Sequence, residues 1–226
     1  MTGAALFLVL AQAAPADIAA APDPPASTAE VTVAEPIAPP PALPVAEPVT
    51  PAPAEPKPDL VVPLAHVTAL MTVMRVTETF LWPDPFARTE HFGAHYEEAF
   101  TMPPVFDGSR RFFEWDGDPW YINSLGHGLF GSELYMRART CRLPWYGALA
   151  FAAASSTVWE YGFEANGVRP SALDLIYTPL SGMALGEARY QTWRAAKSIR
   201  SPALRATVRA LMDPLGETER ALGSGC

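Results

Sequence analysis

The sequence predicts an all-α protein: a compact antiparallel bundle of about five helices, placed after a disordered Pro/Ala-rich N-terminal arm. Three observations carry this reading. From Leu64 onward apolar residues recur at spacings of three and four. The side chains that could build a core are confined to the later part of the chain. The breaks between periodic segments carry residues that start or stop helices.

The partition between arm and core is sharp. Of the 25 prolines, 15 precede Leu64, where Phe7 is the single aromatic residue, whereas all six tryptophans lie between Trp82 and Trp193. Residues 1–63 hold seven acids and one lysine, net −6, which leaves 17 acids and 15 bases, net −2, for the remainder. Neither part has the basic patch that nucleic-acid binding requires. Residues 1–14, within "MTGAALFLVLAQAAPA", read as a signal peptide or weak anchor with small residues at Ala11-Gln12-Ala13, although no Lys or Arg precedes the apolar stretch. Residues 15–63 read as a linker with almost nothing to bury, an extended tether because proline fixes φ and no core repays the ordering entropy. Some fifty residues in polyproline II form would reach about 150 Å.

The helices follow in order over 64–212. The first, Leu64 to Trp82, sets Leu64, Val67, Leu70, Met71, Met74 and Leu81 on one face and is stopped by Pro83 and Pro85. A weaker helix covers Phe86 to Phe100. Two Asp-Gly turns, Asp107-Gly108 and Asp116-Gly117, leave the next stretch open between loop and short hairpin. A third helix runs from Pro119, suited to a first turn, to Arg139. The fourth runs from Pro144 to about Ala165, with Asn166-Gly167 offering a left-handed stop. The fifth begins at a capping box, Ser171 and Asp174, and a short helix from Pro202 to Met212 precedes a polar tail, 213–226. Two cysteines, Cys141 and Cys226, are too few to define a disulfide framework, though they could pair in an exported protein.

The uncharged run from Leu143 to Trp159 is at the lower limit for crossing a bilayer. Its small residues Gly147, Ala148, Ala152, Ser155 and Ser156, with the Gly182/Gly186 pair, suit close helix packing, which membrane helices and buried helices of a soluble bundle share. A membrane-associated helical domain is the favoured expectation. The membrane is then a partner, and the location is the cell envelope: periplasmic or membrane-associated, the outer membrane included.

A geometric argument gives the candidate site. If the three helices over 119–190 run up, down and up, residues equidistant from each loop share a level. Reflection about 142 and 168 then gathers Asn123, His127, Glu160, Glu164, Asp174 and Thr178 into one layer, as three i,i+4 pairs. Buried carboxylates are costly unless they share a proton, meet a cation or bind a metal. His127, Glu160 and Asp174 are the candidate catalytic residues and the candidate ligands for a divalent ion. Zn, Mn or Fe suits the nitrogen donor better than Ca. Alternatively His127 is a general base oriented by Glu160. Asn123, Glu164 and Thr178 are read as ligand-binding or network residues. The competing reading is a hydrogen-bond network that fixes helix register, in which Asp174 only caps its helix and His127 only donates to Glu160. His91 and His95 with Glu98 have metal-compatible spacing, but an exposed amphipathic helix explains them better.

Three motifs, "WDGDPWYINSLGHGLFGSELYMRAR" at 115–139, "SSTVWEYGFE" at 155–164 and "RPSALDLIYTPLSGMALGE" at 169–187, together resemble a bacterial domain-of-unknown-function family, the one numbered 3943. The resemblance spans about a third of the chain and marks a family-like core over 115–190. Gly128 and Leu173 depart from the family pattern, which has proline after the histidine and asparagine before the aspartate. The order His, Glu, Asp on successive helices is also distantly similar to VanZ-like membrane proteins. The resemblance implies a cell-envelope protein and names no activity. Two functions follow as expectations: a structural or binding module, or an envelope hydrolase acting on lipid or glycan headgroups.

Overall fold

The computed structural model describes residues 57–226, which lie in one compact unit. The expected signal peptide and most of the Pro-rich linker fall outside the described residues. Helix α1 spans Val61–Leu81, starting three residues before the expected Leu64 because Pro63 fits within the first turn. A four-residue turn, α2 (Pro83–Phe86), and α3 (Phe92–Thr101) follow. The bundle proper is α4 (His127–Thr140), α5 (Trp145–Val158) and α6 (Ala172–Ala195). Beyond it come α7 (Pro202–Met212) and α8 (Pro214–Ala221), so the polar tail carries a helix of its own.

The chain is therefore all-α, as expected, with no strand among the described residues. The Asp-Gly stretch forms no hairpin; Val105 instead bridges Ser171, its N–H donating to the Pro170 carbonyl at 2.7 Å. Gly167 is not left-handed. It is small because a Cβ there would strike the Phe86 ring. Among the described residues no helix is long and apolar enough to cross a membrane.

The small residues flagged in the sequence act inside the bundle. A Cβ on Gly131 of α4 would overlap the Thr178 carbonyl of α6, and a Cβ on Gly182 would overlap the Gly131 backbone. Gly186 is closed in by Tyr135 and Ser132 in the same way. Ala148 and Ala152 of α5 are fully buried against the same core, with Leu134, Tyr135 and Trp159. Close backbone approach, rather than bulky interdigitation, is thus what sets the three-helix spacing.

A charged network ties the outer helices to this unit. Arg137 of α4 is fully buried and meets Glu133 at 3.1 Å, Asp213 at 3.2 Å and Glu219 at 3.3 Å. Arg189 of α6 donates to the other Glu133 oxygen at 2.8 Å, and Arg220 to Asp213 at 2.6 Å. His66 of α1 pairs with Glu133 and Glu219. Asp213 also caps α8 through the Gly216 N–H. Next to this network, Cys141 and Cys226 form a disulfide.

The network sets a pH dependence. Burial raises the Glu133 pKa, but hydrogen bonds from His66 and Arg189 outweigh it and hold the group at about 2. The folded state thus binds this proton less tightly than the unfolded chain, so its stabilisation is complete above pH ~4.5 and lost as pH falls toward ~2. For His66, burial lowers the pKa but hydrogen bonds to Glu133 and Glu219 raise it further; that contribution is full below the unfolded value and fades as pH rises through the folded one. Chemical denaturation of wild type should lose on the order of 3 kcal/mol more stability between pH ~5 and pH ~2 than Glu133→Gln does. Parallel curves for the two proteins would show that Glu133 is not held ionised by its partners. The helix spacing makes a second prediction. Gly131→Ala should cost several kcal/mol, roughly 3 or more, because backbone must move. Gly93→Ala, where nothing lies within 4 Å, should stay within about 1 kcal/mol of wild type in the same thermal melts.

Candidate functional site

The site is built where two of the three helices depart from regularity. Ile122–Gly126 and Trp159–Phe163 are π-helical turns, closed by the His127 N–H on the Ile122 carbonyl and the Glu164 N–H on the Trp159 carbonyl. The third helix holds Pro179 in its interior, directly after Thr178. Wide turns of this kind interrupt regular hydrogen bonding and recur at functional sites.

His127, Glu160 and Asp174 come together as expected. One donor atom from each lies within 4.8 Å of the others. They are 7 %, 2 % and 2 % exposed. His127 Nδ1 is 3.0 Å from Thr178 Oγ1 and 3.5 Å from Asp174 Oδ1. Burial lowers the His127 pKa to about 4, so the imidazole is neutral. A neutral imidazole keeps one lone pair; Nδ1 faces both Thr178 and Asp174, and no described residue hydrogen-bonds Nε2.

Glu160 takes over part of the capping. Ser171 Oγ accepts from the Asp174 N–H at 3.2 Å, as a capping box requires. The reciprocal bond, to the Ser171 N–H, comes from Glu160 Oε2 at 2.7 Å rather than from Asp174. The Asp174 carboxyl therefore does not cap its helix. Its Oδ1 and Glu160 Oε1 are buried without any hydrogen-bond partner.

Asn123, placed in the same layer by the sequence, reaches the cluster through another residue. Its Nδ2 donates to Asp116 Oδ1 at 2.7 Å and to the Phe113 carbonyl at 3.0 Å. The wide turn between Asn123 and His127 alters their relative phase, so they do not act as a simple i,i+4 pair. Glu164 is half-buried and lines a cavity. His91 and His95 take no part: the His95 Nδ1 bonds to the Asn166 carbonyl at 2.7 Å.

Three acids escaped the sequence reading. Asp116 accepts from Ser171 Oγ at 2.6 Å, and Asp118 and Glu78 line the cavity. Asp116 and Asp118 fall in a loop with no periodic pattern, and Glu78 lies on α1, whose packing against the site is not fixed by any short connection. The one available signal was the string Asp116-Gly117-Asp118 just before a helix. Burial opposes ionisation throughout the group. It pushes Asp174 up to about 9, with Glu160 and Asp116 adding repulsion, and Glu78 up to about 7. Glu160 and Glu164 are likewise raised, by burial first and then by neighbouring carboxylates. Only Asp116 is lowered: burial would raise it, but Ser171, the Asp118 N–H and Asn123 hold it ionised.

A cavity of about 400 Å³ opens beside the cluster, lined by His127, Glu78, Asp118 and Glu164 with Trp82 and Trp159 among its apolar walls. The arrangement is neither closed nor fully paired. It has the donor set of a divalent-cation site and a neutral imidazole that could also move a proton.

Residues 112–215 match the family model of a domain of unknown function, DUF3943. The match bears out the resemblance read from the three motifs, and it contains all of the site except Glu78. No curated protein and no solved structure matches the chain.

The strain has a measurable sign. Glu160→Gln keeps an acceptor for the Ser171 N–H while removing a carboxyl that is costly to ionise there. In chelator at pH ~7.5 the variant should be more stable than wild type by about 1–2 kcal/mol in denaturant titration. A loss of stability instead would identify Glu160 as an architectural residue.

Proposed function

We propose that this chain is an exported, membrane-associated module of the cell envelope whose His127–Glu160–Asp174 cluster binds a divalent transition-metal ion. The observation that carries the ion site is the convergence of one donor atom from each of His127, Glu160 and Asp174 within 4.8 Å, where each carboxyl keeps a buried oxygen without a hydrogen-bond partner and the histidine is neutral. A cation would offset the carboxylate repulsion that burial imposes. The nitrogen donor favours Zn, Mn or Fe over Ca. Thr178 would orient the imidazole, and Ser171, held by Glu160 and Asp116, would orient the carboxylates. The Cys141–Cys226 disulfide supports export, since such bonds persist in oxidising compartments. Exposed Trp120, Tyr121, Leu125 and Leu129 support contact with a membrane surface.

A second reading, an envelope hydrolase acting on lipid or glycan headgroups, draws support from the cavity at His127. There the imidazole would serve as base, with Glu160 and Asp174 holding it or the ion.

Metal analysis of the purified full chain tests the ion site. Wild type should carry stoichiometric metal, or gain about 3 kcal/mol at a hundred-fold excess of Zn or Mn over its Kd, and His127→Ala should do neither. Equal lack of metal and of stabilisation in both proteins would end the proposal. Complementation of a deletion strain separates the two readings: a folded His127→Ala protein that fully complements removes the hydrolase.

A further inference from the structure

The ion site does not account for the rest of the acids. Around it and in the cavity stand seven carboxyl groups: those of Glu78, Asp116, Asp118, Glu160, Glu164 and Asp174, and that of Asp84, which is exposed and paired with Arg88 at 3.4 Å. A single divalent ion held by His127, Glu160 and Asp174 engages two of them. Arg75 acts on Glu78 through its charge, but its guanidinium hydrogen bonds go to Asn166 Oδ1 at 2.7 and 3.0 Å and to the Phe86 carbonyl at 2.9 Å rather than to an acid. Glu78, Asp118 and Glu164 lie close enough to repel one another, and all three face the same cavity. Glu78 Oε2 is buried there with no partner, and His127, 7 % exposed, lines the same wall.

Apart from Thr77 and Asp84, the remaining lining is apolar. Trp82, Phe86, Phe130 and Trp159 contribute rings, with Val73 and Met74 from α1. Aromatic faces attract cations through their quadrupole, and an apolar wall holds a hydrocarbon body. These acids hold their protons more tightly than usual, and an ammonium beside them favours their charged form, whereas a phosphate, sulfate or carboxylate group gains no such pairing. The volume, about 400 Å³, falls within the range of small-molecule sites.

We propose that this cavity binds an organic amine, its ammonium group on the Glu78, Asp118 and Glu164 carboxylates and its apolar body against Trp82, Phe86 and Trp159. The inference deepens the cation-site reading by naming the class of molecule that would lie beside the ion, yet its binding step does not require the ion. Under the hydrolase reading the same cavity would select amine-bearing substrates.

The test uses the full chain and three probes of matched length: hexylammonium, hexanol and hexanoate, titrated by calorimetry and by tryptophan fluorescence, in chelator and again with Zn. Hexylammonium should bind roughly ten-fold or more tightly than hexanol, and hexanoate should not bind. Glu78→Gln and Asp118→Asn should each weaken hexylammonium by about ten-fold and leave hexanol unchanged. The probe comparison on wild type stands even where a variant fails to fold. Equal affinity for hexylammonium and hexanol, or no binding of hexylammonium, overturns the proposal. Amine binding in chelator and in His127→Ala would sustain it even where metal analysis rejects the ion, and metal binding without amine binding would reject it alone.

Discussion

The approach of Gly131 to the Thr178 carbonyl fixes how close α4 lies to α6, and the site depends on that distance. At any wider spacing His127 would not reach Thr178 Oγ1 at 3.0 Å or Asp174 at 3.5 Å. Gly182 and Gly186 continue the same seam along α6, and Ala148 and Ala152 let α5 pack onto it. Small residues here exchange side-chain burial for backbone proximity, a trade that membrane and soluble bundles both use. The polar cluster is the beneficiary.

Two charged clusters lie in one small domain and are solved in opposite ways. Around Arg137 every acid has an arginine or histidine, and Glu133 is driven far below its ordinary value. Around His127 the acids have serine, asparagine and each other, and all but Asp116 are driven upward. Pairing of the first kind locks helices together. Leaving buried carboxyl oxygens without donors stabilises nothing in the folded chain alone, which is the cost that the proposed cation would offset.

Much of the site was legible in the sequence because hairpin geometry is local. Short loops at 142 and 168 force neighbouring helices to run antiparallel, so level can be counted, and His127, Glu160, Asp174 and Thr178 meet as counted. What could not be counted was non-local or irregular. Asp116 and Asp118 arrive on a loop, Glu78 on a helix connected by a long excursion, and Asp213 on a segment whose polarity read as tail. Asn123 was placed in the layer, but its partner, Asp116, sits on the loop that no level count could place. The disulfide was open from two cysteines, and only the fold brings their Cα atoms to 5.1 Å.

The π-helical turns carry a consequence for anyone transplanting this constellation. Each holds an extra residue relative to regular winding, and one residue corresponds to about 100° of rotation. A design that copied the three side chains onto ideal helices, or an alignment that let a single-residue gap fall on the wrong side of Trp159, would put a neighbour such as Tyr161 in the glutamate's place and carry the glutamate away from its histidine. The chemistry is thus encoded partly in a phase slip, which substitution tables do not score.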